Sequence, residues 1–195
     1  MDIMGFIKFL PAELQKAFTQ TLALFQEKNI APDLDIVMTE IEKTLSLTAK
    51  NPALDKKLRH AFNDVANLTS IGKDVLKDQK ISMLTTAKLA SNRSRFKESL
   101  HAFREAADRD DPAVVALAET LKKNDKFYDA VKRLVANTNG RLFTLEAGEN
   151  GTGYAVDLMT GKSMKVPLKK EDYEELLKIL AEKKKTPPAP PSPSA

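Results

Sequence analysis

The sequence predicts a mainly α fold: a bundle of about five helices, followed by a small α+β unit of two or three antiparallel strands and one helix. Three observations carry this prediction. Apolar residues recur at steps of three and four through the first two-thirds of the chain, laying one stripe along each helix with charges opposite. Pro11, Pro32, Pro52 and Pro112 each stand just ahead of such a run, where a missing N–H costs nothing and φ is already helical. Beyond "NTNG", residues 137–140, the spacing changes to alternation, the signature of strands.

The helical runs follow in order. Leu14, Phe18, Leu22 and Phe25 come after Pro11, and Leu34, Val37, Ile41 and Leu45 after Pro32. Asn51 before Pro52 has N-cap chemistry, and Leu54, Leu58, Phe62, Val65 and Leu68 form the third stripe. Residues 81–107 read as one helix with a strongly polar middle and with Leu84, Phe96, Leu100 and Phe103 facing inward. Asp111 is a second N-cap candidate, opening the run Val114, Leu117, Leu121, Tyr128, Val131 and Val135, which has a polar break at Asn124-Asp125.

The Asn and Gly residues of "NTNG" stop this last helix, with Gly140 suited to a left-handed C-cap. "RLFTLEA" and "YAVDLM" then alternate around a glycine-rich loop, "GENGTG", so that Phe143 and Leu145 face Tyr154, Val156 and Leu158. A third strand, "SMKVP", follows the turn Thr160-Gly161-Lys162. In the closing helix Tyr173, Leu176, Leu177 and Leu180 fall at i, i+3, i+4 and i+7, with acids early and lysines late to complement the helix dipole. The expected divisions are residues 1–137, helical, with an apolar segment at 1–10; residues 141–185, sheet and helix; and a Pro-rich tail, 186–195, which cannot build a core. Its PxxP spacing, Pro187 to Pro190, has the form of a polyproline ligand, but a solubilising tail is the plainer reading.

Composition excludes several functions. The chain has 195 residues and no cysteine, which removes disulfides, thiolate metal sites and a Cys nucleophile. Its net charge of +4 is too small to imply a nucleic-acid partner. Residues 3–10 are apolar but interrupted by Lys8, whereas a spanning helix needs about 20 apolar residues. The start lacks the basic region and cleavage site of a secretory signal, so a leader is not expected. The expected location is the cytoplasm, or a virion if the chain is viral.

Gly161-Lys162-Ser163 resembles the end of a phosphate-binding loop, but the loop also requires a glycine five positions earlier, where Val156 stands. The residues that follow it read as a strand rather than the helix whose N-terminus would face the anion. The triplet is therefore expected to be a hairpin turn. His60 and His101 are far apart in sequence and lack the spacing that places ligands on one helix face. "DRDD", residues 108–111, reads as a solvated loop ending in a cap. No cofactor and no metal are expected, and an enzyme is not expected.

Two features point to partners. Ile3, Phe6, Ile7 and Leu10 share a helical face that would serve as a docking element, although a place in the core is the plainer reading. Arg93, Arg95 and Lys97 surround Phe96, a pattern able to track phosphates and stack a base; Lys162 and Lys165 would extend it. The leading expectation is a non-enzymatic structural or adaptor protein within a larger assembly, associating with other proteins or with itself. A component of a phage or virus particle is its specific form. Nucleic-acid binding through those cations is the alternative.

Overall fold

The structure, a computed structural model, describes residues 12–78, 81–139, 141–148, 151–156 and 165–185. Among these residues there are eight helices and three strands: α1 (Ala12–Phe25), α2 (Ala31–Thr48), α3 (Lys56–Asp78), α4 (Met83–Ser91), α5 (Arg93–Asp108), α6 (Pro112–Lys122), α7 (Asp125–Thr138), β1 (Phe143–Gly148), β2 (Gly151–Val156), β3 (Lys165–Pro167) and α8 (Lys170–Lys185). The fold is the predicted one, a helical bundle with a small sheet and a final helix.

Local hydrogen bonds explain why five apolar runs give seven helices ahead of the sheet. Asn124 caps α7 by accepting from Phe127 N at 3.2 Å, so the polar break at this point is a true helix boundary. Asp111 caps α6, accepting from Ala113 N at 2.9 Å, with Pro112 at the first helical position. The run 81–107 is also divided. The chain turns at Asn92, whose side-chain amide donates to Lys88 O at 2.9 Å and so closes α4 before α5 begins.

Asn51 does not cap a helix as its sequence predicts. Its Oδ1 accepts from Ala53 N at 3.0 Å in a tight turn, and proline disfavours the helical region for the residue before it. Asp55 caps α3 instead, accepting from Leu58 N at 3.1 Å. Arg59 locks this turn by donating to Pro52 O at 3.0 Å and to Leu54 O at 2.9 Å. Leu84 is solvent-exposed rather than inward. At the end of α7 the left-handed residue is Asn139, with φ 50°, while Gly140 lies outside the described residues.

The core is built around α2. Leu34, Val37, Met38, Ile41 and Leu45 are buried along one side of it, and α3, α6 and α7 all pack against it. α7 contributes Phe127, Ala130, Val131 and Leu134, each with no exposed surface. On the far side of α3, Phe62 meets Phe103 of α5 edge to face, with ring centroids 5.5 Å apart. Polar bonds at the rim set how the helices align. Arg133 Nη2 of α7 lies 2.7 Å from Asp33, Lys73 of α3 lies 2.9 Å from Glu42, and Asn124 Nδ2 donates to Glu40 at 2.9 Å.

The sheet has the order β1-β2-β3, antiparallel throughout, with Phe143 opposite Val156 and Tyr154 opposite Val166. β2 starts at Gly151, within the stretch predicted as loop: glycine is a poor strand former, yet it keeps the N–H and C=O that a ladder needs, and Gly148 pairs with Gly151 and Glu146 with Gly153. Phe143, Val166 and Leu168 join the helical core directly. α8 rests on α7 and β2. It buries Leu176 fully, half-buries Tyr173 and Leu180 against the core, and leaves Leu177 exposed.

A polar clasp holds α8 in place. Tyr128 Oη of α7 donates to Asp172 Oδ2 at 2.5 Å, Lys132 Nζ donates to Asp172 Oδ1 at 2.9 Å, and Tyr128 Oη accepts from Lys169 N at 3.0 Å. Burial works to raise the Asp172 carboxyl, but the bonds from Tyr128 and Lys132 and the nearby lysine charges outweigh it, and the carboxyl ends below its ordinary value. Burial, then the bond to Asp172, pushes the Tyr128 phenol well up. The bond to Asp172 likewise raises Lys132. Lys183 adds a bond to Ala136 O at the other end of the helix.

Two predictions follow from this junction. Leu176→Ala is expected to cost about 2–5 kcal/mol in urea unfolding, whereas exposed Leu177→Ala stays within about 0.5 kcal/mol of wild type. Because Asp172 is lowered in the folded state, its contribution is complete above the ordinary aspartate value of about 3.9 and fades as pH falls below it. Asp172→Asn is therefore expected to lower stability at pH 7 and to flatten its dependence on pH below about 4. An unchanged acid slope in that variant contradicts the assignment.

Candidate functional site

α4 carries the most exposed pair of large apolar side chains among the described residues. Ile81 is buried and Leu89 half-buried against the core, so the inward line of this segment runs Ile81, Thr85, Leu89 at steps of four. Leu84 is one position off that line, about 100° around the helix. It therefore points outward together with Met83, Ala87 and Lys88. Met83 is 85% exposed and Leu84 81% exposed, the two most exposed large apolar side chains among the described residues.

This exposed pair sits on an ordered helix start. Ser82 Oγ accepts from Thr85 N at 3.0 Å and shares a 2.8 Å bond with Thr85 Oγ1, while Thr86 Oγ1 donates to Ser82 O at 3.1 Å. No residue of α4 is fully buried. The cap, the Ile81 anchor and the Asn92 turn thus hold two large apolar side chains in water.

Cations follow along the sequence into α5. The nineteen residues between Asp78 and Glu98 contain Lys80, Lys88, Arg93, Arg95 and Lys97 and no carboxylate. Arg95 is anchored: its Nη2 lies 3.1 Å from Asp64 Oδ1 and its Nε donates to Asp64 Oδ2 at 3.1 Å. Asp64 is buried on α3 and also accepts from Ser99 Oγ at 2.7 Å, so one carboxylate ties two residues of α5 to α3. The Arg95 guanidinium lies over the Phe96 ring, 5.1 Å from its centroid.

Arg93 and Lys97 are exposed, one helical turn apart on the same face, and neither has an acidic partner among the described residues. Arg93 stands in the first turn of α5, which holds no acid of its own, and Lys97 lies one turn further along. Beyond them, Glu98 and the His101–Glu105 pair, 3.4 Å apart, return the surface to mixed charge.

The structure distributes the sequence-predicted residues unevenly. It places Arg93 and Lys97 on one face of α5 but turns Arg95 toward α3, where Asp64 engages it, and it buries Phe96, so this ring is not open for base stacking. Lys165 is exposed on β3 and paired with Glu146 at 3.2 Å. Ile3, Phe6, Ile7, Leu10 and Lys162 lie outside the described residues, as do the turn Gly161-Lys162-Ser163 and the tail 186–195. Asp110 and Asp111 form the loop and cap expected of "DRDD", Asp110 with φ 51°.

From the sequence, Leu84 reads as inward with Phe96, Leu100 and Phe103, and Met83 is not singled out. The four-residue spacing of Ile81, Thr85 and Leu89 was the signal that places Leu84 outside. Among the described residues no group of three or more His, Asp or Glu converges as a metal site, and no helix is long and apolar enough to cross a membrane. Comparison of the chain with protein-family models, with curated proteins and with solved structures gives no match.

Asp64→Ala is expected to lower stability by about 1–3 kcal/mol by leaving Arg95 and Ser99 without their acceptor. Arg93→Ala is expected to change it by no more than about 0.5 kcal/mol. Urea denaturation followed by circular dichroism separates the two. Equal losses in both variants contradict this division between an anchoring and a free cation.

Proposed function

We propose that the chain is a non-enzymatic structural or adaptor protein that docks onto other proteins within a larger complex or particle. The observation that carries this reading is the adjacent pair Met83 and Leu84, 85% and 81% exposed on a capped helix. Isolated exposed apolar residues need no explanation, but two neighbours on an ordered helix start form a surface suited to a partner. Among the described residues, carboxylates withdrawn from water support the same reading. Asp33, Glu40, Asp64 and Asp172 each bond a cation, amide or hydroxyl from another helix, so their chemistry is spent on holding helices together.

Nucleic-acid binding is the second reading, favoured by the unpaired Arg93 and Lys97. Phosphate contacts alone would give affinity that falls steeply with salt.

Size fractionation of gentle extracts from the source cells, with mass spectrometry of the fractions containing the chain, tests the proposal. The expected result is migration in a complex of fixed protein composition that resists nuclease. Migration as a free monomer contradicts docking, and loss of the complex on nuclease treatment favours the second reading.

A further inference from the structure

We infer that copies of this chain associate head to tail, an exposed basic row on α5 of one copy pairing with an exposed acidic row on α8 of the next. This inference rests on the docking function proposed above and names a second copy of the chain as one of the proteins docked.

Both rows follow from spacing and exposure. Arg93, Lys97 and Arg104 are exposed and recur at steps of four and seven, which sets them within about 40° of one another round α5. Glu171, Glu175 and Glu182 are exposed on α8 at the same two steps, so each row is about 16 Å long. Among the described residues none of the three cations has an acidic partner. Glu171 and Glu175 form no ion pair there either, Glu175 lying only near enough to Lys132 to favour its charge, while Glu182 is already engaged within its own chain. The mixed charge beyond Lys97 sorts by face: Glu98 and Glu105 stand about 100° to one side of the basic row, and Glu105 holds His101.

Charge sets register and direction. Side by side and parallel, the rows bring Arg93 to Glu171, Lys97 to Glu175 and Arg104 to Glu182. Asp108, the acid that ends the basic row, then runs toward Lys184 and Lys185. Antiparallel with the same ends matched, Lys97 would meet Lys178. Within one chain the rows stay apart, because α5 packs on α3 and α8 on α7 and β2, and α5 does not pack against α8. A contact between two different surfaces leaves one of each open on every pair, so it continues into a ring or filament rather than stopping at a dimer.

The nearest competitor for the basic row is a phosphate backbone. Glu98, Glu105 and Asp108 border the row and repel phosphate, and Phe96, the ring that would stack a base, is buried. The apolar side chains are elsewhere. Leu177 lies on the other flank of α8, about 140° from the acidic row, and Met83 and Leu84 belong to α4. The contact is therefore ionic and separate from the apolar pair that carries the docking reading.

Exposed ion pairs are individually weak, so the contact is read at high concentration and low salt. The full chain is followed by light scattering and sedimentation velocity from about 0.01 mM to about 1 mM in about 0.05 M salt. Its average mass is expected to climb past two copies, and to fall back to one chain in about 0.5 M salt. Arg93→Glu with Lys97→Glu reverses the basic row, and Glu171→Lys with Glu175→Lys reverses the acidic one, all at exposed positions. Each double variant alone is expected to need at least about tenfold more protein to associate, with an unchanged circular dichroism spectrum. An equimolar mixture of the two restores opposite charges at every contact and is expected to associate again. A wild-type chain that stays monomeric throughout, either variant associating like wild type, or a mixture that stays apart overturns the inference. A plateau at two copies that Leu84→Asp abolishes assigns self-association to a symmetric contact of α4 and overturns it too. Duplex DNA bound by the wild type and released by the basic-row variant, without self-association, overturns it in favour of a phosphate surface. A cellular complex whose composition is unchanged in both variants, while the purified chain fails to associate, leaves the docking function standing and removes this contact from it.

Discussion

Everything else in the fold depends on the buried side of α2. Leu34, Val37, Met38, Ile41 and Leu45 lie along it, and three further helices close over it. Burying each such side chain stabilises by about 1.5–3 kcal/mol, whereas an exposed ion pair contributes about 0–1 kcal/mol. The apolar stripe therefore supplies the energy. The pairs at its rim, Asp33 with Arg133 and Glu42 with Lys73, supply alignment. The same core reaches the sheet through Phe143 and Val166 and the last helix through Leu176, so sheet and α8 are supported by the bundle. This support matters, since a sheet and helix of this size bury too little surface to be stable alone.

α4 lies at the opposite extreme. It has nine residues and no fully buried side chain, and helices this short are marginal in isolation. The Ser82 cap, Ile81 at its start and the Asn92 turn at its end hold it on the bundle. A rigid core fixes where α4 sits, and the weak packing of α4 leaves its outer side chains available to a partner.

Much of the fold was legible in the sequence because the signals were local. Period and burial agree along α2, and Val114, Leu117, Leu121, Tyr128, Val131 and Val135 are all buried as their spacing predicts. Asp111 caps as expected, since Asp before Pro at a helix start has one dominant use. Asn51 has two, a cap and an Asx turn, and competition from Arg59 and Asp55 decided between them. The start of β2 was hidden because glycine is ordinarily a loop signal and here takes part in the ladder. The candidate surface was half legible. The cations Arg93, Arg95 and Lys97 could be read directly, but which of them is free depended on Asp64, more than thirty residues away in sequence. Leu84 was misplaced because it was counted in one stripe with Phe96, Leu100 and Phe103, across a break that only the Asn92 geometry reveals.

Native-state hydrogen exchange followed by mass spectrometry tests the central claim, a rigid core around α2 carrying a loosely held α4. Amides of α2 and α7 are predicted to exchange only through global unfolding, with a free energy equal to that from denaturant titration and a matching response to urea. Amides of α4 are predicted to exchange through local opening at a distinctly lower free energy, insensitive to low urea. Protection of α4 equal to that of α2, or local exchange within α2 itself, would contradict the account.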